Sequence, residues 1–352
     1  MIAAKPTDVR FVRNAPKPAI ARPAISKADV ATATRLVASV AIAWFLPQRW
    51  WPHVAHHASW FGGILMGKTT NAVASRMKFA LAGDSAMSAD LAANLRGARY
   101  EVAFQCLRGY RPDGWHPKIT IRGAEHIEDA LRFGKGCVLW VAHFVFAPNV
   151  VKVGLNELGY AVSHLSRPDH GFSSTQFGIR FLNPVRTAFE DAYLAQRITF
   201  DRAHPAAALK RASSTVAKNG IVSFTAGAWE GSSLVEAGFL GSRIPLAIGP
   251  VWLARRSGAI LLPVFATRTK APHEFAVEIG GPIDVHTGSS EPKALVEAVT
   301  DFLLRHEPHL TKYPAQWRGW SSLQDAVPKG NKTDGRADLF DHFDAQVRTQ
   351  PP

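Results

Sequence analysis

Short apolar segments separated by helical patterns constrain the fold of this chain more than any other feature of its sequence. Three of them, Cys137–Val141, residues 221–224 and residues 259–265, contain almost no polar side chain. Strands of this kind are covered on both faces, as in parallel sheets flanked by helices. We therefore predict an α/β fold with a mixed, mostly parallel central sheet flanked by helices.

Helical patterns that stop at glycine or asparagine lie between these strands. The predicted helices cover residues 125–133, 150–158, 206–218 and 292–304. Two further strands are predicted at residues 161–165 and 275–279, the second of them at an edge of the sheet. On this pattern the α/β domain spans residues 68–323, and a polar tail follows over residues 324–352.

The first 67 residues differ in composition from the rest. Residues 1–27 carry six Lys or Arg and four Pro, which predicts a flexible basic arm. Residues 28–67 are predicted to form a membrane-associating helical region, because four of the ten tryptophans fall there and Arg49 is the one formal charge between residues 36 and 67. The apolar run at residues 36–46 is shorter than the roughly 20 residues that cross a bilayer. We expect an anchor lying on one leaflet, with a buried pair of core helices as the alternative.

The net charge of +13 and the pI near 10 predict an anionic partner. The basic residues are dispersed, without a zinc-finger, RRM-like or basic-helix pattern, so we expect an anionic membrane surface or an acidic protein and no nucleic acid. Cys106 and Cys137 are the two cysteines. Two thiols make no disulfide scaffold and fit a reducing cytoplasm.

His143 stands at the end of an apolar run, in the sequence Val-Ala-His-Phe-Val-Phe-Ala-Pro-Asn over residues 141–149. The carboxyl end of a buried strand is where α/β sheets hold their active crevices. A general base there would take the proton of an acceptor hydroxyl. A structural, hydrogen-bonded histidine is the alternative reading.

Several motifs, in order, resemble those of the lipid A biosynthesis (lauroyl/myristoyl) acyltransferase family. The helix–strand–histidine segment at residues 123–144 is similar to that family's entry to its catalytic histidine. Further matching segments are residues 166–168, 236–241, 249–263 and 313–317. The resemblance covers roughly residues 30–320. It implies a membrane-associated acyltransferase at the cytoplasmic face of the inner membrane, moving a fatty acyl chain from an acyl carrier protein to a lipid hydroxyl, with no cofactor beyond that co-substrate.

The chain departs from this family at its catalytic acid. The family pattern places Asp or Glu five residues after the histidine, where this chain has Pro148. Proline cannot accept from an imidazole, and loss of the orienting acid of a triad typically costs about four orders of magnitude in rate. Three explanations stay open at this point: a replacement acid from elsewhere in the fold, a tautomer fixed by Asn149 or a backbone carbonyl, or a protein that binds lipid or acyl carrier without transferring. The candidate acids are Glu230 first, then Glu236 and Asp201.

Arginines supply the predicted substrate contacts. Arg167 follows the strand at residues 161–165 and precedes Pro168, so we expect its guanidinium to face the same crevice and bind a phosphate of the acceptor or of the carrier's pantetheine arm. A surface arginine without such a role is the alternative. Arg243 is a further candidate for a phosphate-attracting rim. His53, His56 and His57 have zinc-like spacing but lie within the presumed anchor without an acidic or cysteine partner, so we predict no metal site.

Overall fold

A computed structural model describes residues 9–13, 21–65, 67–200, 205–228, 233–285 and 291–324. The α-helices are α1 (Lys27–Phe45), α2 (Trp51–Leu65), α3 (Gly67–Leu81), α4 (Ser85–Gly109), α5 (Glu125–Arg132), α6 (Ala147–Glu157), α7 (Pro184–Asp191), α8 (Pro205–Ala217), α9 (Gly249–Ser257) and α10 (Glu291–Lys312). The strands are β1 (Val9–Arg13), β2 (Lys118–Arg122), β3 (Cys137–Val141), β4 (Val162–Ser166), β5 (Gln196–Thr199), β6 (Ile221–Thr225), β7 (Ser233–Phe239), β8 (Ser242–Ala247), β9 (Ile260–Arg268) and β10 (Glu274–Ile279).

The central sheet has seven strands in the order β2-β10-β9-β3-β6-β4-β5. Every pair is parallel except β9 and β10, so the predicted mixed, mostly parallel sheet is confirmed. The prediction of an edge strand at residues 275–279 was wrong, because β10 lies between β9 and β2. The edge strand on this side of the sheet is β2, whose residues alternate between exposed and half-buried positions and so lack the continuous apolar run of the inner strands.

Strand β3 runs through the middle of the sheet, with β9 on one side and β6 on the other. All five of its residues are buried, as its apolar sequence predicts. The ring of Trp140 stacks on Phe302 of α10, with the ring centroids 4.1 Å apart. Helices therefore cover this strand, and its carboxyl end opens towards His143.

Most predicted boundaries agree with the structure to within about a residue, and three do not. Strand β9 continues to Arg268, beyond the predicted end at residue 265. Helix α6 begins at Ala147, earlier than residue 150, because Pro148 suits the first turn of a helix, where its missing N–H costs nothing. Helix α10 continues to Lys312, well beyond residue 304, although Pro308 lies inside it. The longer α10 brings His306 and His309 against the sheet.

A second, three-stranded sheet is formed by β1, β7 and β8. Strands β7 and β8 are a hairpin, and β1 pairs antiparallel with β7. The prediction of a flexible arm over residues 1–27 does not hold for the five residues of β1, Val9–Arg13. Val9 and Phe11, two residues apart and therefore on one face of the strand, pack against the core.

Helices α1, α2 and α3 pack around the long helix α4. The indole N–H of Trp44 donates to the Leu107 carbonyl at 3.0 Å, and Arg108 and Arg111 donate to the Trp44 carbonyl. Trp51 is buried, with its ring edge against Phe104. Part of the predicted anchor is therefore core structure, as in the alternative reading.

The outer face of α1 remains uncovered. Val37 is 74%, Phe45 82% and Trp50, in the turn after the helix, 50% exposed. By length and composition alone α1 is long and apolar enough to cross a membrane, and 28% of it is buried. An exposed apolar stripe of this kind fits contact with a lipid surface.

Candidate active site

His143 lies two residues beyond the carboxyl end of β3, with its side chain 9% exposed. The C-terminal segment holds its backbone: Phe144 forms a β-bridge with Trp317, and the N–H of Arg318 donates to the His143 carbonyl at 2.9 Å. Backbone contacts with the C-terminal segment therefore hold the main chain at His143.

A small cavity opens beside the imidazole. It is lined by His143, Gly227 after β6, Ile244 and Leu246 of β8, and Phe302 and His306 of α10. Its volume is about 20 Å³, room for about one water molecule. The three-stranded sheet thus forms one wall of the His143 site, a role that the sequence reading did not foresee.

Positive charge dominates the surroundings of His143. Burial lowers the pKa of its imidazole well below the ordinary value, and the charges of Arg318, Arg99, Arg186 and Arg167 lower it further. With its pKa lowered in this way, the imidazole is neutral near pH 7. The same arginines oppose the imidazolium that proton transfer would create.

The acids proposed to replace the one missing at position 148 divide into two groups. Glu230 and Asp201 lie outside the described residues. Glu236 lies on β7 and is half-buried, and its Oε1 accepts from the side-chain amide of Gln324 at 3.4 Å. The Pro148 carbonyl accepts from Lys152 Nζ at 2.8 Å.

Asn149 faces α4. Its Nδ2 donates to Gln105 Oε1 at 3.0 Å, and its Oδ1 has no hydrogen-bond partner among the described residues. This geometry gives no support to the hypothesis that Asn149 fixes the tautomer of His143. The side chain instead ties the start of α6 to α4.

Glu190, which the sequence analysis missed, is the buried acid of this region. Its carboxylate accepts from Lys152 Nζ at 2.9 Å, Arg186 Nε at 2.8 Å, Arg197 Nη2 at 3.0 Å and His170 Nε2 at 2.9 Å. The side chain is completely buried. Although burial opposes ionisation, the cations around the carboxylate, Lys152 foremost, hold the pKa of Glu190 well below its ordinary range. Glu190 therefore joins α6, α7 and β5 behind the His143 site.

The two predicted arginines lie near His143 in different ways. Arg167 directly follows β4, and its charge acts on His143. That its guanidinium binds a phosphate in a common crevice stays a prediction. Its Nε lies 3.6 Å from Asp169 Oδ1, and the side chain is 40% exposed. Arg243 directly precedes Ile244, the first β8 residue that lines the cavity, and its backbone exchanges hydrogen bonds with Gln324 at 3.2 and 2.8 Å.

Within the described ranges no group of three or more His, Cys, Asp or Glu could hold a metal ion. His56, from the zinc-like cluster, has its Nδ1 3.1 Å from Asn94 Oδ1 on α4. Burial raises the pKa of the Cys106 thiol to about 12 and also raises that of Cys137. Both cysteines therefore stay protonated, which suits a packing role.

His306 presents an unusual buried imidazole. It is 2% exposed, and neither ring nitrogen has a hydrogen-bond partner among the residues described. The ring lies between aromatic neighbours, parallel to Phe239 with centroids 5.6 Å apart. Burial lowers its pKa to about 3, so the ring is neutral.

We expect His306→Phe to raise the free energy of unfolding by about 1–2 kcal/mol, because it removes two unsatisfied buried nitrogens. The adjoining cavity can take the slightly larger ring. Urea denaturation at pH 7 measures the change. His164→Phe is the control. His164 is also buried, but its Nδ1 lies 2.9 Å from Ser223 Oγ, so this substitution should lower the free energy of unfolding. A loss of stability in His306→Phe would contradict the prediction.

Comparisons with known proteins give little further information. No protein-family model matches the chain, and no curated protein matches it. Among solved structures it is similar to the crystal structure of the 1-acyl-sn-glycerophosphate (LPA) acyltransferase PlsC from Thermotoga maritima, with a TM-score of 0.35 and 12% identity over 81% of this chain and 97% of that one. A similarity this weak carries no argument about the site.

Proposed function

We propose that the protein is a membrane-associated acyltransferase that moves a fatty acyl chain from an acyl carrier protein to a hydroxyl of a lipid A-like or other glycolipid or phospholipid acceptor. The observation that supports this most is the placement of a neutral His143 at the carboxyl end of the central strand β3. The charge of Arg167 acts at the same edge of the sheet. The family resemblance of the sequence motifs points to the same reaction.

In the proposed reaction His143 takes the proton of the acceptor hydroxyl while the oxygen attacks the thioester carbonyl carbon. A new C–O bond forms and the C–S bond breaks. The carrier's thiolate leaves and receives the proton back from the imidazolium. No redox step or metal is needed. His143 can begin this cycle because its imidazole is neutral near pH 7.

The charge of the chain suits both proposed partners. A net charge of +13 favours an acidic carrier protein and an anionic lipid surface. The uncovered apolar face of α1 would enter the headgroup region of the inner membrane from its cytoplasmic face. Trp50, exposed at the end of that face, is the residue type that favours this boundary.

We expect the triple substitution of Val37, Phe45 and Trp50 by glutamine to weaken binding to anionic liposomes by about 100-fold or more, since a buried large apolar side chain contributes about 1.5–3 kcal/mol. Liposome co-sedimentation measures the change. Phe133→Gln is the control, because Phe133 is 73% exposed but lies just ahead of β3, at the strand end remote from His143. Equal liposome binding by the triple variant and the wild type would contradict the proposed membrane association.

The test of the proposed reaction is transfer of a labelled acyl chain from acyl carrier protein into a total membrane-lipid extract. Labelling of one lipid would establish the activity and identify the acceptor class. Donors with acyl chains of several lengths are needed, because the described residues do not indicate which acyl chain length the protein accepts. The absence of labelling with every donor would contradict the proposal.

A second candidate is a protein of this fold that binds lipid or acyl carrier protein without transferring. The observation that favours it is the combination of Pro148 with the four arginines whose charges oppose an imidazolium at His143. A binding protein would give no labelled lipid and would be insensitive to His143→Ala.

A further inference from the structure

The arginines around His143 come from elements that pack against one another. Arg99 lies on α4, Arg186 on α7 and Arg318 in the C-terminal segment. Helix α4 contacts both α7 and the 3₁₀ turn Pro314–Gln316 that precedes Arg318. Three cationic side chains from distant parts of the sequence are therefore brought to the edge of the sheet that carries His143.

Of these three arginines, Arg318 has a buried guanidinium nitrogen, Nε, without a hydrogen-bond partner among the described residues. Its own backbone N–H donates to the His143 carbonyl, so the Arg318 side chain starts at the residue that makes this contact. Burial, followed by the charges of Arg99, Arg186 and Arg167, lowers the pKa of Arg318 to about 9. A buried guanidinium without a carboxylate is costly unless an anion binds to it.

The carboxylates Glu190 and Asp169 already have cationic partners. Glu190 accepts from Arg186 but also from Lys152 and Arg197, so it does not balance the whole group. Asp169 is paired with Arg167. An excess of positive charge therefore remains beside His143.

We propose that the acyl acceptor carries a phosphate group close to its reactive hydroxyl, and that Arg318, Arg186 and Arg99 bind this phosphate next to His143. The proposal rests on the acyl transfer proposed above. The bound phosphate supplies the negative charge that position 148 lacks, so the substrate itself stabilises the imidazolium during proton transfer. Acyl transfer should therefore be faster to phosphorylated acceptors than to neutral ones.

The test is NMR of the full-length protein labelled in its histidine rings, titrated with inorganic phosphate in the absence of any acyl donor. We expect the signal of His143, assigned by its loss in His143→Gln, to shift and to report proton uptake as phosphate saturates. The groups that face the ring are Arg99, Arg167, Arg186 and Arg318, and His306 shares its cavity. An unmoved His143 signal at saturating phosphate would overturn the proposal.

Arg318→Gln should weaken phosphate binding by roughly ten- to a hundredfold, with Arg318→Lys intermediate. Arg132→Gln is the matched control, since Arg132 is exposed on α5 and pairs with Asp129. Equal affinity in Arg318→Gln and the wild type would reject the site even if phosphate binds elsewhere. If Arg318→Gln does not fold, the wild-type titration and Arg318→Lys decide the question.

Two soluble phosphates then distinguish the acceptor from the carrier. Glycerol 3-phosphate, with a hydroxyl beside its phosphate, should displace inorganic phosphate from His143, whereas 4′-phosphopantetheine should not. The reverse order would assign the site to the carrier and overturn the acceptor proposal. These readouts need no turnover, so a failure of acyl transfer with phosphate binding intact would contradict the proposed function alone.

Discussion

Glu190→Gln is expected to lower the free energy of unfolding by about 3–5 kcal/mol, the usual cost of removing one partner from a buried ion pair. The substitution keeps the size of the side chain and removes its charge. Lys152, Arg186 and Arg197 would then remain charged without the carboxylate that they share. Urea denaturation at pH 7, followed by circular dichroism, measures the loss.

The neighbouring residue provides the control for this prediction. Asp191 pairs with Arg197 at 2.6 Å, but its side chain is 47% exposed. Asp191→Asn should therefore change the free energy of unfolding by no more than about 1 kcal/mol. A similar, small effect for both substitutions would show that water reaches the Glu190 cluster and that it is not a buried network.

The pH dependence of this contribution follows from the pKa of Glu190. Because that pKa is held well below its ordinary range, the stabilisation is present above the unfolded carboxyl value of about 4.3 and is lost as the pH falls below it. The difference in stability between wild type and Glu190→Gln should thus be constant from pH 5 to 7 and shrink in stronger acid.

The strands of the central sheet were predictable because their sequences are continuously apolar. Strand β3 begins and ends where its pattern predicts. Strands β2 and β5 escaped prediction because they are edge strands with mixed exposure. Their pairing depends on neighbours far away in the sequence, so no local pattern marks them.

The position of a candidate site residue was predictable where the residue directly follows one strand, as His143 follows β3 and Arg167 follows β4. It was not predictable where the partners come from separate elements. Arg186 and Glu190 have the spacing of a helix pair, four residues apart, which is common on solvent-facing helices. Their burial depends on how α7 packs against α4 and α6. No sequence motif marks Arg318 as a charged residue of the site.

His143→Ala is expected to lower the rate of acyl transfer by about 10²–10⁴-fold, the usual contribution of a general base. The fold should persist, because the contact that holds this segment runs from the Arg318 N–H to the His143 carbonyl and does not involve the imidazole. Labelled transfer into the identified lipid at pH 7 gives the rate. Liposome binding and thermal melting of the same samples separate lost chemistry from lost structure.

The pH profile makes this prediction specific to the imidazole. The pKa of His143 is lowered by burial and by four arginines, so the acidic limb of kcat/KM should lie below pH 6.5, the ordinary histidine value. This limb should be absent from the residual activity of His143→Ala. His116→Ala, which removes an exposed histidine, should reproduce the wild-type profile. A rate within about threefold of wild type in His143→Ala would fall far short of general-base catalysis and would favour the binding protein over the enzyme.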